Sequence, residues 1–293
     1  SIGFDSKKFD ETEKSRVVSK IINSNHHEYV VTEKSFHNDI DTILDNFDEP
    51  FADSSALATH LVAKKTSNHV KVALTGDGGD EVFGGYNKYH INSINNIYTN
   101  AVPEKVHIML KEASSVLFKT KDDNRGLRFK ILKTLDSIDY NNDFYWNIIS
   151  LGYKENEIKE ILKSNPGGMF DYYKNSLNLN NPKTLSDLRN IDKHLSLEGD
   201  MLVKVDRTSM LCSLECRAPF LNKKLWEFTD SLPSKYLINN TSKKYILKEA
   251  FKDEFPQNFL EKSKKGFGVP VCDWLRTVLK DELMYLSDKS FVE

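Results

Sequence analysis

From Val70 to Tyr86 the chain reads V-K-V-A-L-T-G-D-G-G-D-E-V-F-G-G-Y. It opens on a short β-branched, apolar run, Val70 to Leu74. Its length and lack of polar alternation predict a strand buried on both faces, as in a parallel sheet. Gly76, Gly78 and Gly79 follow, interleaved with Asp77, Asp80 and Glu81. Glycine permits positive φ and lets a ligand approach the main chain closely. Asp80 and Glu81 stand where the next helix begins, where the dipole favours negative charge. A loop leaving the carboxyl end of a parallel strand is where open α/β sheets bind ligands. Three carboxylates within five residues repel a bare phosphate. They suit one bridged by Mg²⁺, which takes oxygen ligands and joins one or two carboxylates to phosphate oxygens. The plain alternative is an acidic, glycine-rich turn that caps a helix. The strand, the loop and the second pair Gly84-Gly85 together favour a functional site.

Upstream of this run, Ser1-Ile2-Gly3-Phe4 reads as the tail of a strand, and with Ser rather than Met at position 1 the chain is expected to be a fragment whose beginning is missing. Asp10 with Glu13 resembles a capping box, and Val17, Val18, Ile21 and Ile22 give a helical stripe. His26 to Thr32 reads as a strand. Adjacent strand residues point to opposite faces, so His26 and His27 are ordinary strand-edge histidines rather than joint chelators. Ser35 to Phe47 is helical, with Phe36, Ile40, Ile43, Leu44 and Phe47 on one face. Pro50 breaks it, and Asp53, Ser54 or Ser55 caps the next helix, about Ala56 to Thr66. This alternation predicts an α/β fold with a doubly wound parallel sheet.

Downstream, from about Ser93 to Lys183, helical stripes such as Val106-Met109-Leu110 and Leu127-Ile131-Leu135 alternate with polar breaks. No motif stands out, and the stretch reads as a helical insertion whose role is packing. The expected division is therefore residues 1–92 as the nucleotide-binding α/β part, 93–184 as the insertion, and 185–293 as a helical part. Leu195 to Leu214 is helix-like. Asp200 with Lys204, and Lys204 with Arg207, have spacings that align them on one helix face. Asp206, Arg207, Glu215 and Arg217 interrupt apolar surroundings, where charge is costly unless paired or used. Arg217, just before Ala-Pro-Phe-Leu, suits a planar clamp on a carboxylate. The loop K-S-K-K-G-F-G-V-P, Lys262 to Pro270, is cationic and able to close over phosphates.

Composition sets outer bounds. The 293 residues are 39% hydrophobic and 29% charged, which is a globular balance. The formal net charge of −2 gives no support to nucleic-acid binding. No apolar run approaches a membrane span, and these residues show no secretory signal pattern. Three cysteines, Cys212, Cys216 and Cys272, imply a reducing compartment and buried thiols rather than disulfides. Cys212 and Cys216, four apart, suit one helix face.

The three stretches T-G-D-G-G-D-E-V-F-G-G-Y, V-K-V-D-R-T-S-M-x-x-S-L-E-x-R-A-P-F-L and K-K-G-F-G-V-P, in this order, resemble the synthetase domain of glutamine-dependent asparagine synthetases. D-E-P-F-A-D-S-S, Asp48 to Ser55, is similar too. The resemblance implies an adenine nucleotide alpha hydrolase-like fold of the ATP-pyrophosphatase type with a large helical portion. It implies that Mg-ATP activates the side-chain carboxylate of aspartate to β-aspartyl-AMP, releasing pyrophosphate. Ammonia then displaces AMP to give asparagine. In such a protein the ammonia comes from glutamine, hydrolysed by an N-terminal glutaminase domain of the same full-length chain.

Carried over by position, Asp80 becomes the Mg²⁺ ligand and Asp77 a base for ammonia attack, where the family often has the longer Glu. Glu81 shapes the substrate pocket, and Arg217 lies near the aspartate. Lys264, with Lys265 beside it, stabilises the leaving pyrophosphate. Ser1 and Ile2 lie beside the adenine, and Gly76, Gly78 and Gly79 approach the phosphates. The cofactors implied are ATP and Mg²⁺, the setting is cytoplasmic, and a homodimer is one assembly in view. No nucleic-acid or membrane partner is expected.

The resemblance places the family's S-G-G-x-D-S phosphate loop before Ser1, outside these 293 residues. The 293 residues alone are therefore expected to fold imperfectly and to turn over no ATP. Steady ATP-dependent AMP release by this chain would refute that. Two other readings stand beside the main one. The first is a related amidotransferase or cyclase acting on another carboxylate, such as a polysaccharide sugar acid. The second is a degenerate, non-catalytic partner. An upstream chain beginning Met-Cys discriminates for glutamine-dependent amidation.

Overall fold

The computed structural model describes residues 1–4, 12–31, 39–117, 127–141, 143–149, 155–162, 168, 170–240, 242–261, 274–277 and 279–288. The chain is a helix-rich α/β protein whose described strands form two-stranded sheets, two of them parallel. It divides into two compact units. One comprises Ser1–Gly79, Leu197–Glu227 and Tyr245–Glu293; the other comprises Asp80–Ser196 and Phe228–Lys244.

In the first unit β1 (Ile2–Phe4) pairs in parallel with β2 (Tyr29–Val31). Parallel neighbours need a crossover, and the helix Thr12–Ile21 lies between them in sequence. Further along, β3 (Val72–Leu74) pairs in parallel with β4 (Glu215–Arg217), Leu74 opposite Arg217. The expected helix after Pro50 is present as Ser55–Thr66. Its start is held by Asp53, whose carboxylate accepts from the Ser55 backbone N–H at 2.9 Å and the Ser55 hydroxyl at 2.8 Å. Two faces of this helix are buried. Leu57 packs with Ile43, Trp274 and Leu279, against which Ile40 and Phe47 also lie. Ala58 and Leu61 pack with Val31 and Ile2. The predicted stripe Ile40, Ile43, Phe47 is therefore core. Leu44, on the short helix Ile40–Leu44, is exposed instead. Asp10, Thr32 and Phe36 lie outside the described residues.

Three expectations need correction here. The strand Val72–Leu74 is not buried on both faces: Val72 is 44% and Leu74 75% exposed. Double burial requires helices over both faces of a sheet, and among the described residues β3 belongs to a two-stranded ribbon with β4. The strand expected from His26 begins only at Tyr29. His26 and His27 precede it, where His26 bonds to the Ser1 hydroxyl at 2.8 Å and His27 stacks on His69 at 4.1 Å. Third, the helix expected from Leu195 is a π-helix over Lys193–Leu202, followed by an α-helix over Val203–Met210.

The second unit is built on helices Asn87–Ala101, Phe144–Ile149 and Leu185–Asp192. Tyr89, Tyr145, Trp146, Leu188 and Ile191 form its buried core. The last helix starts at a capping box. The Thr184 hydroxyl accepts from the Asp187 N–H at 3.1 Å, and the Asp187 carboxylate accepts from the Thr184 N–H at 2.8 Å. A short antiparallel hairpin, β5 (Ile238–Asn239) and β6 (Ser242–Lys243), completes it. The predicted stripe on helix Glu104–Leu117 does not pack as expected, because Val106, Met109 and Leu110 are exposed. Periodicity gives the face of a helix but not what covers it. Among the described residues no helix is long and apolar enough to cross a membrane.

These burials predict a sharp contrast. Ile191→Ala, at a fully buried side chain, should cost about 3 kcal/mol, while Ile97→Ala, 70% exposed, should stay within about 0.5 kcal/mol. Urea unfolding of the two variants checks it.

Candidate active site

In the first unit the glycine loop grows directly out of the β3–β4 pair. The Thr75 N–H, one residue beyond β3, donates to the Arg217 carbonyl at 2.8 Å. Two of the three motif stretches, remote in sequence, thus leave the same end of one parallel pair. Gly78 has φ +81°, and a Cβ there would stand 2.1 Å from Leu221 Cδ2. Both the conformation and the space demand glycine. Asp77 is half-buried in this loop. The Arg217 side chain is exposed, and its Nε donates to Glu215 Oε1 at 2.8 Å.

Ser1 and Ile2 line a cavity of about 290 Å³ with His26, Tyr29, Lys65 and His69. Lys264 and Lys265, with the rest of Lys262–Pro270, lie outside the described residues.

In the second unit Asp80 and Glu81 ride on the short helix Gly79–Phe83, whose first residue closes the other unit in sequence. The Asp80 carboxylate pairs with the Lys244 ammonium at 3.0 Å. A Cβ on Gly85 would fall 1.8 Å from Asp80 Oδ1, so Gly85 lets the chain fold tightly past that carboxylate. Asp80 offers hard oxygen donors of the kind Mg²⁺ takes. Among the described residues no group of three or more His, Cys, Asp and Glu is placed to hold a metal ion.

Glu81 is buried, and its Oε1 accepts from the Tyr86 hydroxyl at 2.6 Å. Burial raises its pKa, the Tyr86 bond opposes this, and the nearby Asp80 and Asp192 carboxylates add to the rise. Asp192, fully buried, accepts from Lys88 at 2.6 Å and from the Tyr145 hydroxyl at 2.8 Å.

Sequence reasoning missed several enclosed charges. Lys204, whose spacing to Asp200 and Arg207 predicted one shared helix face, is 4% exposed. Its ammonium donates to Asp53 at 2.6 Å and to the Ser55 hydroxyl at 2.8 Å. Burial pushes the Asp53 carboxyl up, but the bonds from Lys204 and Ser55 outweigh that and leave it below its ordinary value. Arg207 ion-pairs with Asp48, in the D-E-P-F-A-D-S-S stretch. Both K-V-D-R cations therefore bind that stretch, and the apolar surroundings of Lys204 were the signal available for this. Cys212 and Cys216 are half-buried free thiols, raised chiefly by burial. Cys212 sits in a turn and Cys216 in β4, so they share no helix face.

Asp53 has a lowered folded pKa, so its stabilising contribution is complete above the unfolded value of 3.8 and fades as pH falls below it. Lys204→Met removes the partner and should destabilise by about 3 kcal/mol at neutral pH. Adding Asp53→Asn should recover part of the loss, and the pH dependence of unfolding below 3.8 should flatten in the double variant. Thermal unfolding across pH 2–7 measures all three.

The asparagine synthase family profile matches residues 1–291. The chain is 28% identical over 287 residues to an asparagine synthetase [glutamine-hydrolyzing] of Bacillus subtilis, covering 96% of this chain and 44% of that protein. It is 30% identical over 283 residues to a putative asparagine synthetase [glutamine-hydrolyzing] of Mycobacterium bovis, covering 94% and 41%. A putative asparagine synthetase [glutamine-hydrolyzing] of Methanocaldococcus jannaschii is 35% identical over 215 residues, covering 72% and 39%. The chain thus spans less than half the length of these relatives. With motifs and profile in agreement along its length, it belongs to the asparagine synthase family.

Proposed function

We propose that this chain carries the synthetase half of an ATP-dependent carbon–nitrogen ligase that amidates aspartate to asparagine. One observation carries the reading. The β3–β4 pairing, with Thr75 bonded to Arg217 at 2.8 Å, brings the T-G-D-G-G loop and the E-C-R-A-P-F-L turn together. The chain also belongs to a family whose matched relatives are named glutamine-hydrolysing asparagine synthetases.

The chemistry runs in two balanced steps. A side-chain carboxylate oxygen of aspartate bonds to the α-phosphorus of ATP, and pyrophosphate leaves. Ammonia then attacks the acyl carbon of β-aspartyl-AMP, AMP leaves, and a proton passes from nitrogen to Asp77. Arg217, which can swing from its exposed pairing with Glu215, takes the substrate's carboxylate. Gly76, Gly78 and Gly79 let phosphate oxygens approach backbone N–H groups. Asp80 would hold Mg²⁺, which when bound screens the phosphate charge. Glu81, buried against Tyr86, gives the pocket its shape. Ser1 and Ile2 contact the adenine, and Lys264 with Lys265 takes the pyrophosphate charge.

In this proposal the parallel pairs β1–β2 and β3–β4 belong to one doubly wound sheet of the ATP-pyrophosphatase type. Residues 1–92 form the nucleotide-binding part, 93–184 a helical insertion, and 185–293 the part that returns Arg217 and the lysines. Ammonia comes from a glutaminase domain of the same polypeptide, acting in the cytoplasm, with a homodimer as the assembly.

The test uses the complete gene product with Mg-ATP and ammonium. Pyrophosphate release should depend on aspartate, and Asp80→Asn should slow it about a hundredfold or more. Release that depends on a different carboxylate would replace the substrate named here. Release untouched by Asp80→Asn would remove Asp80 from the site.

A further inference from the structure

We infer that Arg189 is the positioning residue for the Asp80 helix, holding that segment in the conformation the reaction needs. The inference rests on the proposed function for its catalytic meaning, but its geometry stands apart from it.

The helix Gly79–Phe83 has five residues, far below the length at which a helix persists alone in water. The last carbonyls of a helix have no partner within it. Here one of them, Asp80 O, accepts from the Gly85 N–H at 2.7 Å, a closure that Gly84 permits with φ +69°. The next two are taken by one side chain. Arg189 Nε donates to the Glu81 carbonyl at 2.7 Å, and Arg189 Nη2 donates to the Val82 carbonyl at 2.9 Å. The same guanidinium is braced from behind. Its Nη2 also donates to the Thr229 hydroxyl at 3.1 Å, and its Nη1 pairs with Asp230 at 2.9 Å. Arg189 is 2% exposed and Thr229 fully buried, so water does not compete for these bonds.

Only arginine satisfies this arrangement, because its donors form a rigid planar fork. A lysine keeps the charge at the carbonyl end of the helix, where a cation is favoured, but cannot reach both carbonyls and both braces. One carbonyl then stays buried without a donor, and the helix trades its fixed geometry for a looser one. The side chains carried on this helix are Asp80, paired with Lys244, and Glu81, bonded to Tyr86. Loosening the helix therefore reaches catalysis through those two carboxylates, with Arg189 itself touching neither substrate.

The experiment compares Arg189→Lys, Thr229→Val and Asp80→Asn with the unaltered complete gene product. Hydrogen exchange of the free protein is read segment by segment, and Mg²⁺ dependence of pyrophosphate release is read at saturating aspartate. Arg189→Lys should speed exchange of amides 81–85 about tenfold and raise the half-saturating Mg²⁺ concentration by a similar factor. Thr229→Val keeps both carbonyl bonds and should show the same pattern at about a third of the size. Unchanged exchange in residues 81–85 of Arg189→Lys overturns the inference. So does a rise in exchange spread evenly over the chain in both variants, since that marks a general core residue. If Arg189→Lys loosens 81–85 while Asp80→Asn leaves release intact, the brace stands and the proposed active site falls.

Discussion

The parallel register of β3 on β4 is the constraint on which the chemistry-bearing part of the first unit depends. With Leu74 opposite Arg217, the Thr75 N–H reaches the Arg217 carbonyl, and both chains then turn away from the same strand ends. Parallel pairing has this consequence by geometry, because neighbouring strands finish side by side. The turn after β4 carries Leu221, and Leu221 occupies the space a side chain at residue 78 would fill. Gly78 is thus fixed by its own backbone and by a residue on the other strand's exit. A slip of one residue in the register would reverse every side chain of a strand and would separate Leu221 from the loop it packs against.

Enclosed charge is the second organising feature, and it costs more than it returns unless each ion is fully met. Lys204 meets Asp53 and Ser55, Asp192 meets Lys88 and Tyr145, and Arg189 meets two carbonyls, Thr229 and Asp230. Their common property is direction. Each joins a helix to a segment distant in sequence, so each pins one element against another at hydrogen-bond precision. Apolar packing of the same volume would stabilise as well but would not carry these directed bonds.

Local signals were readable in the chain. The helix Ser55–Thr66 followed from Pro50, the Asp53-Ser54-Ser55 cap and its apolar content, and the strand Ile2–Phe4 from four residues. The stripe Ile40, Ile43, Phe47 was read from spacing and is core. What failed were two inferences about what lies over a surface. The apolar run ending at Leu74 suggested cover on both sides, and the Val106-Met109-Leu110 stripe suggested a packing partner, yet both are exposed. Burial is set by elements elsewhere in the chain, and composition within a window does not contain them. Lys204 and Arg189 were missed for the same reason in reverse, since a charged residue reads as solvated until its distant partner is known.

The π-helix Lys193–Leu202 explains one of these misses in more detail. Asp200 and Lys204 have the spacing that makes neighbours on an α-helix, which predicted one shared helix face. That rule assumes 3.6 residues per turn across the whole interval. Here the interval begins in π geometry and ends in the α-helix Val203–Met210, so the phase between the two residues is not the one the spacing implies. Lys204 instead faces Asp53 and Ser55, and Arg207, three residues on, pairs with Asp48. The wider turn thereby aims two cations of the K-V-D-R motif at the D-E-P-F-A-D-S-S stretch. π-Segments are rare and concentrate where function demands a particular side-chain direction. In this chain that direction couples the motif helix to the loop that starts the helix Ser55–Thr66, and so to the core on which β1 and β2 rest.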